Sequence, residues 1–363
     1  MIDRILLKQE DSRKIKYKIY FKNKKSKFKE INYNFGIKLL LPILIILLVI
    51  YFGIKATLIK KKKQKKIKSI HFLNNADKNI DYFACFCSMA RKENKYAREL
   101  ISYYTNIGVE KFIFGDNNLK GTEKLADVLQ DYINNGIIDI YELFGSDIGQ
   151  SEWFQIIYQN YKKKCKWFLF YDFDEYLNVH FENNKSLKLQ DFLTNKTFDK
   201  CEAVLFNWLM YTDNDLIYYD NRKLIERFTT PNYNDIGNAF VKSIVRGGLN
   251  KTIFYPKKSS HVPDANIKSC NSIGTIIERY NPFNVRPYEY RYGELKHFAT
   301  KSAEEFVDKI KKGTNRNLYY NPEDKLGVYF RVNKFTEEKL KFFEEKFNRS
   351  FSGILYKIKK NLR

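Results

Sequence analysis

Proline and glycine are scarce in this chain, 7 and 16 of 363 residues, and no run of either breaks residues 69–363. No internal repeat divides that stretch. A linker-jointed or repeat architecture is excluded, and one large domain with accessory segments is expected. Cysteine is equally sparse and odd in number: Cys85, Cys87, Cys165, Cys201 and Cys270. Cys85 and Cys87 alternate along a strand-like run and form no paired metal knuckle, so the five read as free thiols. Hydrophobic residues make up 44% of the chain and aromatics 17%, which rules out disorder throughout.

Acidic residues are absent from residues 55–68, which hold 8 Lys/Arg, and rare in residues 1–38, which hold 12 Lys/Arg against 4 Asp/Glu. These flanks carry +8 each of the net +23, leaving +7 for residues 69–363. No helix there concentrates the charge, so a nucleic-acid partner is excluded. Charge of either sign is missing from residues 39–54, an apolar run of 16 bounded by Lys38 and Lys55. At about 1.5 Å per residue it reaches ~24 Å against a hydrocarbon core of ~30 Å; snorkelling lysines and residues 56–59 make up the difference. Residues 39–59 are therefore expected to form a transmembrane or membrane-inserted helix. The basic run 60–66 meets anionic headgroups, so residues 39–68 contact membrane lipid. Both ends are basic, so the positive-inside rule gives no orientation, and Pro42 leaves open a segment that enters and leaves on one side. The run starts too far from Met1 for a cleaved signal peptide. Asn-x-Ser/Thr triplets at Asn195, Asn250 and Asn348 do not settle the compartment in so Asn-rich a chain.

What is present from residue 69 onward is an alternation of strand and helix. Residues 81–89 form a short apolar run suited to a buried parallel strand, and 91–107 space Tyr96, Leu100, Tyr103 and Tyr104 as a helix does; Gly108 ends it. Residues 111–118 read as a second strand and 122–135 as a second helix, closed by Gly136. A third strand is expected at 137–143, a third helix at 151–164 and a fourth strand at 167–171. Beyond these come 187–193 (helix), 203–211, 240–245 and 252–255 (strands), and 303–312 and 336–349 (helices). Repeated βα units imply a mostly parallel sheet with right-handed crossovers.

The fourth strand ends in three carboxylates, Asp172, Asp174 and Glu175. A buried strand has no other reason to deliver so much charge to one point. Ligands of α/β proteins collect beyond the carboxyl ends of the strands, and Asp-x-Asp in an extended chain puts both side chains on one face. Such a pair can hold a hard divalent cation, which in turn holds a diphosphate.

Taken in order, ARKEN at 90–94, ELISYYTNIGV at 99–109, GDNN at 115–118, Trp167 before DFDEY at 172–176, NW at 207–208, KSIVR at 242–246, His261 and LKHFATKS at 295–302 resemble the nucleotide-sugar glycosyltransferases of the GT-A fold. Within them the likeness is to glycosyltransferase family 92 and related family 2-like transferases, over roughly residues 80–312. The fold class expected is thus α/β, a GT-A (nucleotide-diphospho-sugar transferase) fold with a mostly parallel central sheet, preceded by one membrane helix. The expected organisation is a basic segment at 1–38, the membrane helix at 39–59, a basic linker at 60–78, the GT-A domain at 79–312 and a helical extension at 313–363. The resemblance implies transfer of a galactose-like hexose from a UDP-sugar to a glycan or glycolipid acceptor, with inversion. It also implies a divalent cation, Mn²⁺, bridging the diphosphate and Asp-x-Asp. The leaving diphosphate gains negative charge as the bond breaks, so a fixed cation stabilises the transition state more than the ground state.

The resemblance also carries roles onto residues. Asp174 is expected to touch the metal and Asp172 to face the ribose or a metal-bound water. Glu175 orients them from behind or is a solvated strand-end charge. Asp116 matches the residue that meets the nucleoside, or caps its loop. Arg91 and Lys92 stand where the base or phosphates would lie, or are exposed helix-start charges. His261 and His297 both sit where the family has a metal-binding imidazole, with His261 ranked ahead. Lys242 and Arg246 neutralise the leaving phosphates or are plain surface charges. Inversion needs a carboxylate to take the acceptor's proton; Asp213 is the first choice, with Asp215, Glu226 and Asp235 in the same stretch. Trp208 stacks on the acceptor sugar or belongs to the core. The family pattern carries a Ser and a second Asp after Asn118, where LKGT at 119–122 intervenes here, a departure that bears on the nucleoside contacts. Two other readings compete. A haloacid-dehalogenase-type phosphotransferase expects Thr or Val where Tyr176 stands; an inactive membrane-tethered scaffold would have lost one of Asp172 and Asp174, and both are present.

Overall fold

The computed structural model describes residues 5–9, 17–21, 82–144, 146, 148–181, 185–256, 258–277, 288–313 and 321–351. The chain parts into two units at residue 70. In the first, β1 (Ile5–Gln9) and β2 (Tyr17–Phe21) pair antiparallel, Ile5 opposite Phe21, a hairpin that the charge pattern of this segment does not announce. The membrane segment expected at 39–59 and the linker at 60–78 lie outside the described residues. Among the described residues no helix is long and apolar enough to cross a membrane.

The second unit opens with the expected alternation: β3 (Tyr82–Ala90), α1 (Asn94–Asn106), β4 (Lys111–Asp116), α2 (Gln130–Asn134), β5 (Ile138–Glu142), α3 (Gln150–Tyr161) and β6 (Cys165–Phe170). β4 is buried at every position, which is why it reads as a continuous apolar run without period-two alternation. α1 buries Tyr96, Ala97, Leu100, Ile101 and Tyr104 along one face. Then come β7 (Glu175–Val179), α4 (Leu189–Leu193), β8 (Ala203–Met210), α5 (Leu224–Arg227), β9 (Val241–Arg246), β10 (Ser269–Asn271), β11 (Gly293–His297), α6 (Ala303–Lys312), α7 (Pro322–Val332) and α8 (Glu337–Phe347).

The strands form one nine-stranded sheet in the order β5-β4-β3-β6-β9-β8-β11-β7, with β10 also beside β8. Pairing is parallel from β5 through β6 and between β8 and both β10 and β11; β9 runs antiparallel to its two neighbours, and β7 to β11. The sheet is mostly parallel, as expected. After β6 the chain leaves the middle of the sheet and crosses to its far edge, and the acidic triplet lies on this crossing. Asp172 to Asp174 is therefore a turn, with Glu175 N–H donating to the Asp172 carbonyl at 3.2 Å, and not the extended pair expected.

Several elements depart from the sequence reading. Residues 252–255 are not a strand: Ile253 and Phe254 are buried, but both their N–H groups donate to the Gln155 side chain at 2.8 Å. The helix expected at 122–135 is broken into a 3₁₀ turn at Leu125–Val128 followed by α2. β7, β10, β11 and α7 carry too few residues or too weak a period to stand out. α6 starts with a capping box, Ser302 to Glu305, and packs with α7 and α8 in an apolar cluster of Phe306, Ile310, Tyr329, Phe330 and Phe343.

The cysteine reading is corrected. Cys85 bonds Cys165, tying β3 to β6, and Cys201 bonds Cys270, tying β10 to the start of β8; Cys87 is a buried free thiol. The partners lie 80 and 69 residues apart, and only the sheet order brings them together. Denatured without reductant, the full chain is expected to take up one maleimide by mass spectrometry, and five after reduction; five before reduction would restore the free thiols.

Candidate active site

The carboxyl ends of β3, β4 and β6, the crossing turn, the start of α3 and the end of α6 surround a cavity of about 720 Å³. Asp172 and Asp174 both line it, with Arg91, Trp208, His261 and His297. The two aspartates turn to different partners. Asp172, a third of whose side chain is exposed, accepts from Lys242 Nζ at 2.7 Å and from the Gln150 carboxamide. Burial alone would raise its pKa, but Lys242 outweighs burial and holds it below the usual carboxylate value. Asp174 meets Lys309 at 3.1 Å, Lys301 at 3.4 Å and His297 Nε2 at 3.6 Å. Against burial, these neighbours keep it well below the ordinary value.

Behind them Glu175 is fully buried. It accepts from the Asp172 N–H at 2.9 Å and from Trp208 Nε1 at 2.9 Å, with Lys242 Nζ at 3.6 Å. Burial pushes its pKa up, opposed by Lys242. The solvated strand-end alternative for Glu175 is thus removed: the side chain fixes the turn from behind. Lys242 is likewise fully buried. It is neither a surface charge nor open to a phosphate, because its ammonium is spent on Asp172 and Glu175.

Other expected residues fall away from the cavity. Arg246 pairs in register with Trp167, at the far end of β6, and gives its guanidinium to the carbonyls of Cys201 and Phe198 at 3.1 and 3.2 Å; it cannot meet a donor at the crossing turn. Asp213 is buried in an ion pair with Lys339 at 2.8 Å and accepts from the Tyr329 hydroxyl, which anchors α7 and α8 to the loop after β8. Asp215 shares the same Lys339 at 2.8 Å. Neither lines the cavity. Asp116 is buried, and its two oxygens accept the N–H groups of Asn118 and Leu125 at 3.0 and 2.7 Å, so its carboxylate shapes the loop while Asn117 reaches the cavity wall.

Trp208 stands between both roles offered for it. Its ring stacks on Phe240 at 4.9 Å and touches His297 at 4.0 Å, yet it also lines the cavity. Residues not singled out from sequence complete the wall: Glu93, Gln150, Lys258, Ser260, Lys309, Lys312 and Lys325. Burial and the neighbouring Lys309 push Lys325 below the ordinary lysine value. Positive charge is crowded here, a state that an anionic ligand relieves.

Among the described residues, no three His, Cys, Asp or Glu side chains converge as a ready-made metal cage. One or two donors do fit a divalent cation that arrives with a diphosphate, since such ions often take few carboxylates plus substrate phosphates. His261 suits this. Its Nδ1–H donates to the Val241 carbonyl at 3.1 Å, the outer hydrogen bond of a ligating imidazole, and leaves Nε2 a lone pair. Burial, then Lys242, depress its pKa to about 3, so the ring is neutral at ordinary pH. His297 suits less well. Its buried Nδ1 has no hydrogen-bond partner among the described residues; ligation through Nε2 would put the proton on that nitrogen and bury an unsatisfied N–H, at about 1–3 kcal/mol.

The sequence profile of glycosyltransferase family 92 matches residues 80–335. A glycosyltransferase family 92 protein of Oryza sativa subsp. japonica is 31% identical over 112 residues, covering 31% of this chain and 18% of that protein's length. Crystal structures of S. aureus TarS are similar at 13% identity and a TM-score of 0.34. The 1–349 form aligns over 74% of this chain and 72% of its own, the longer form over 74% and 44%. The chain belongs to glycosyltransferase family 92.

Proposed function

We propose that this enzyme has the GT-A fold and transfers a galactose-like hexose from a UDP-sugar to a glycan or glycolipid, using Mn²⁺. The observation that carries the reading is the 720 Å³ cavity, where Asp172 and Asp174 share one wall with His261 and a crowd of lysines. One or two of Asp172, Asp174 and His261 would hold the ion, which when bound supplies positive charge against the leaving diphosphate. Lys309, Lys312 and Lys325 add to that field from α6 and α7. Gln150 and Lys242 fix Asp172, and Glu175 fixes the turn, so the donor meets a preformed surface. His297 and Lys301 hold Asp174.

Inversion needs a base, and Asp213 and Asp215 do not reach the cavity. Among the described residues Glu93 is the one carboxylate lining it outside the Asp-x-Asp turn, so in this reading Glu93 takes the acceptor's proton. Glu93→Gln should then lower transfer by about 10²–10⁴-fold while UDP binding by calorimetry stays unchanged. A loss of UDP binding equal to the loss of transfer would make Glu93 a donor contact instead.

For location, residues 39–59 anchor the chain in this reading, and the two disulfides favour an oxidising compartment for the catalytic domain. Tethering raises the effective concentration of a surface-bound acceptor. The test is a screen of UDP- and GDP-sugars with the full chain in detergent, with Mn²⁺ or with EDTA. Metal-dependent turnover of a UDP-hexose supports the proposal. Turnover only of a GDP-sugar, or turnover unchanged by EDTA, rejects the donor or the metal.

A further inference from the structure

The donor cavity accounts for a diphosphate, and a second cavity of about 370 Å³ adjoins it. The two share Glu93, Lys309 and Lys312, and the Glu93–Lys312 ion pair stands in the common wall. Charge in the second cavity is unbalanced. Six lysines line it, against Glu93, Glu123, Glu305 and Asp308. Glu305 is already spent from behind, on Arg227 at 2.7 and 3.0 Å and on the Tyr96 hydroxyl at 2.6 Å. Glu93 pairs with Lys312, while Lys301 and Lys309 are turned to Asp174. Glu123 and Asp308 are exposed and make no ion pair among the described residues, and Lys92, Lys95 and Lys311 are exposed as well. That leaves Lys92, Lys95 and Lys311, none of which pairs with a carboxylate among the described residues.

The backbone of Lys92 and the side chain of Lys95 are placed without ion pairs. Lys92 has φ +52°, in the left-handed region that a long side chain seldom adopts. Its N–H donates to the Asn118 carboxamide at 2.6 Å, and Asn118 in turn donates to Asn94 at 3.3 Å. Lys95 lies over the Tyr219 and Tyr96 rings at 4.6 and 5.2 Å. It stands in the first turn of α1, which has no acidic residue. A cation there opposes the helix dipole, so helix stability does not explain it. Exposed ammonium groups with no paired carboxylate, gathered around one cavity, suit a compact polyanion. Among the described residues no arginine lines this cavity, and lysines act as point charges suited to phosphate.

We propose that the second cavity binds a phosphate ester carried by the glycan acceptor, next to the donor and across the Glu93–Lys312 pair. It rests on the donor reading only in calling its ligand an acceptor; the phosphate site itself does not. The test uses the full chain in detergent with UDP present to fill the donor cavity, titrated calorimetrically with inorganic phosphate, mannose 6-phosphate and dihexanoyl phosphatidic acid. Lys92→Gln/Lys95→Gln, and separately Lys311→Gln on the opposite wall, should weaken phosphate and sugar-phosphate binding by about tenfold or more, with UDP affinity and melting temperature unchanged. Sugar phosphate should bind more tightly than inorganic phosphate. Equal affinities in wild type and both variants, or no phosphate binding by wild type, overturn the site. Tighter binding of the phosphatidic acid than of the sugar phosphate assigns the anion to a lipid and overturns the glycan assignment. If UDP fails to bind while lysine-dependent phosphate binding persists, the donor reading falls and this site stands.

Discussion

Replacing Asp174 with Asn is expected to reduce sugar transfer by about 10³-fold, the scale of losing one group aimed at developing charge. The carboxylate is the meeting point of Lys309, Lys301 and His297, at 3.1, 3.4 and 3.6 Å, and the first residue expected to touch the metal. Its neutral isostere keeps the shape of the turn and still accepts hydrogen bonds, so the fold should survive. What changes is the balance of charge, because two ammonium groups lose their counter-ion. In EDTA those groups are then available to phosphate, and UDP should bind the variant at least as tightly as wild type. Turnover and metal-free calorimetry together read this out. Turnover within tenfold of wild type would remove Asp174 from the mechanism.

The second large effect concerns stability. Lys242→Met should cost about 3–5 kcal/mol, the usual penalty for stripping the partner from a buried charge. Lys242 and Glu175 are both fully buried, and Lys242 lies 2.7 Å from Asp172 and 3.6 Å from Glu175. Without the ammonium, two carboxylates face each other. At about 2–4 °C per kcal/mol for a domain of this size, the melting temperature should fall by roughly 10 °C. The pH dependence has a definite sign. Asp172 has a folded pKa below its ordinary value because of Lys242. That stabilisation is present above the unfolded pKa near 3.8 and is lost as pH falls through the folded value. Glu175 runs the other way: its raised pKa makes the ionised form costly, and more so in the variant. The deficit of Lys242→Met should therefore be largest near neutral pH and shrink on acidification, and Glu175→Gln in the same chain should recover part of it. A melting temperature within 2 °C of wild type, on the order of 1 kcal/mol or less, would contradict the buried network.

The strands β3 to β6 and the helices between them are legible because each carries its own local signal. A buried parallel strand is a continuous apolar run, as at Phe112 to Phe114 and Trp167 to Phe170, and α1 repeats its apolar residues at helical spacing. β7 and β11 escape notice because they are five residues each and hold charges such as Glu175, Glu294 and Lys296. Those charges are tolerated only through partners elsewhere in the chain, as when Asn178 and His180 meet Glu294. The choice of base shows the same limit. Asp213 follows the strand that carries Trp208, which is all that sequence order offers, but Lys339, 126 residues later, claims it.

By itself, the sequence determined the βα alternation and the delivery of Asp172, Asp174 and Glu175 beyond β6, since both follow from residue types read over short windows. Only the tertiary structure decided which groups surround those carboxylates. Lys301 and Lys309 reach Asp174 from 127 and 135 residues away, Lys242 is buried against Asp172 from 70 residues away, and four of the five cysteines find partners across the sheet. The physical reason is that an ion pair or a disulfide depends on distance in space. Distance in space is set here by a sheet order in which β6 has β3 and β9 as neighbours, far from it in sequence, and no local pattern records that order.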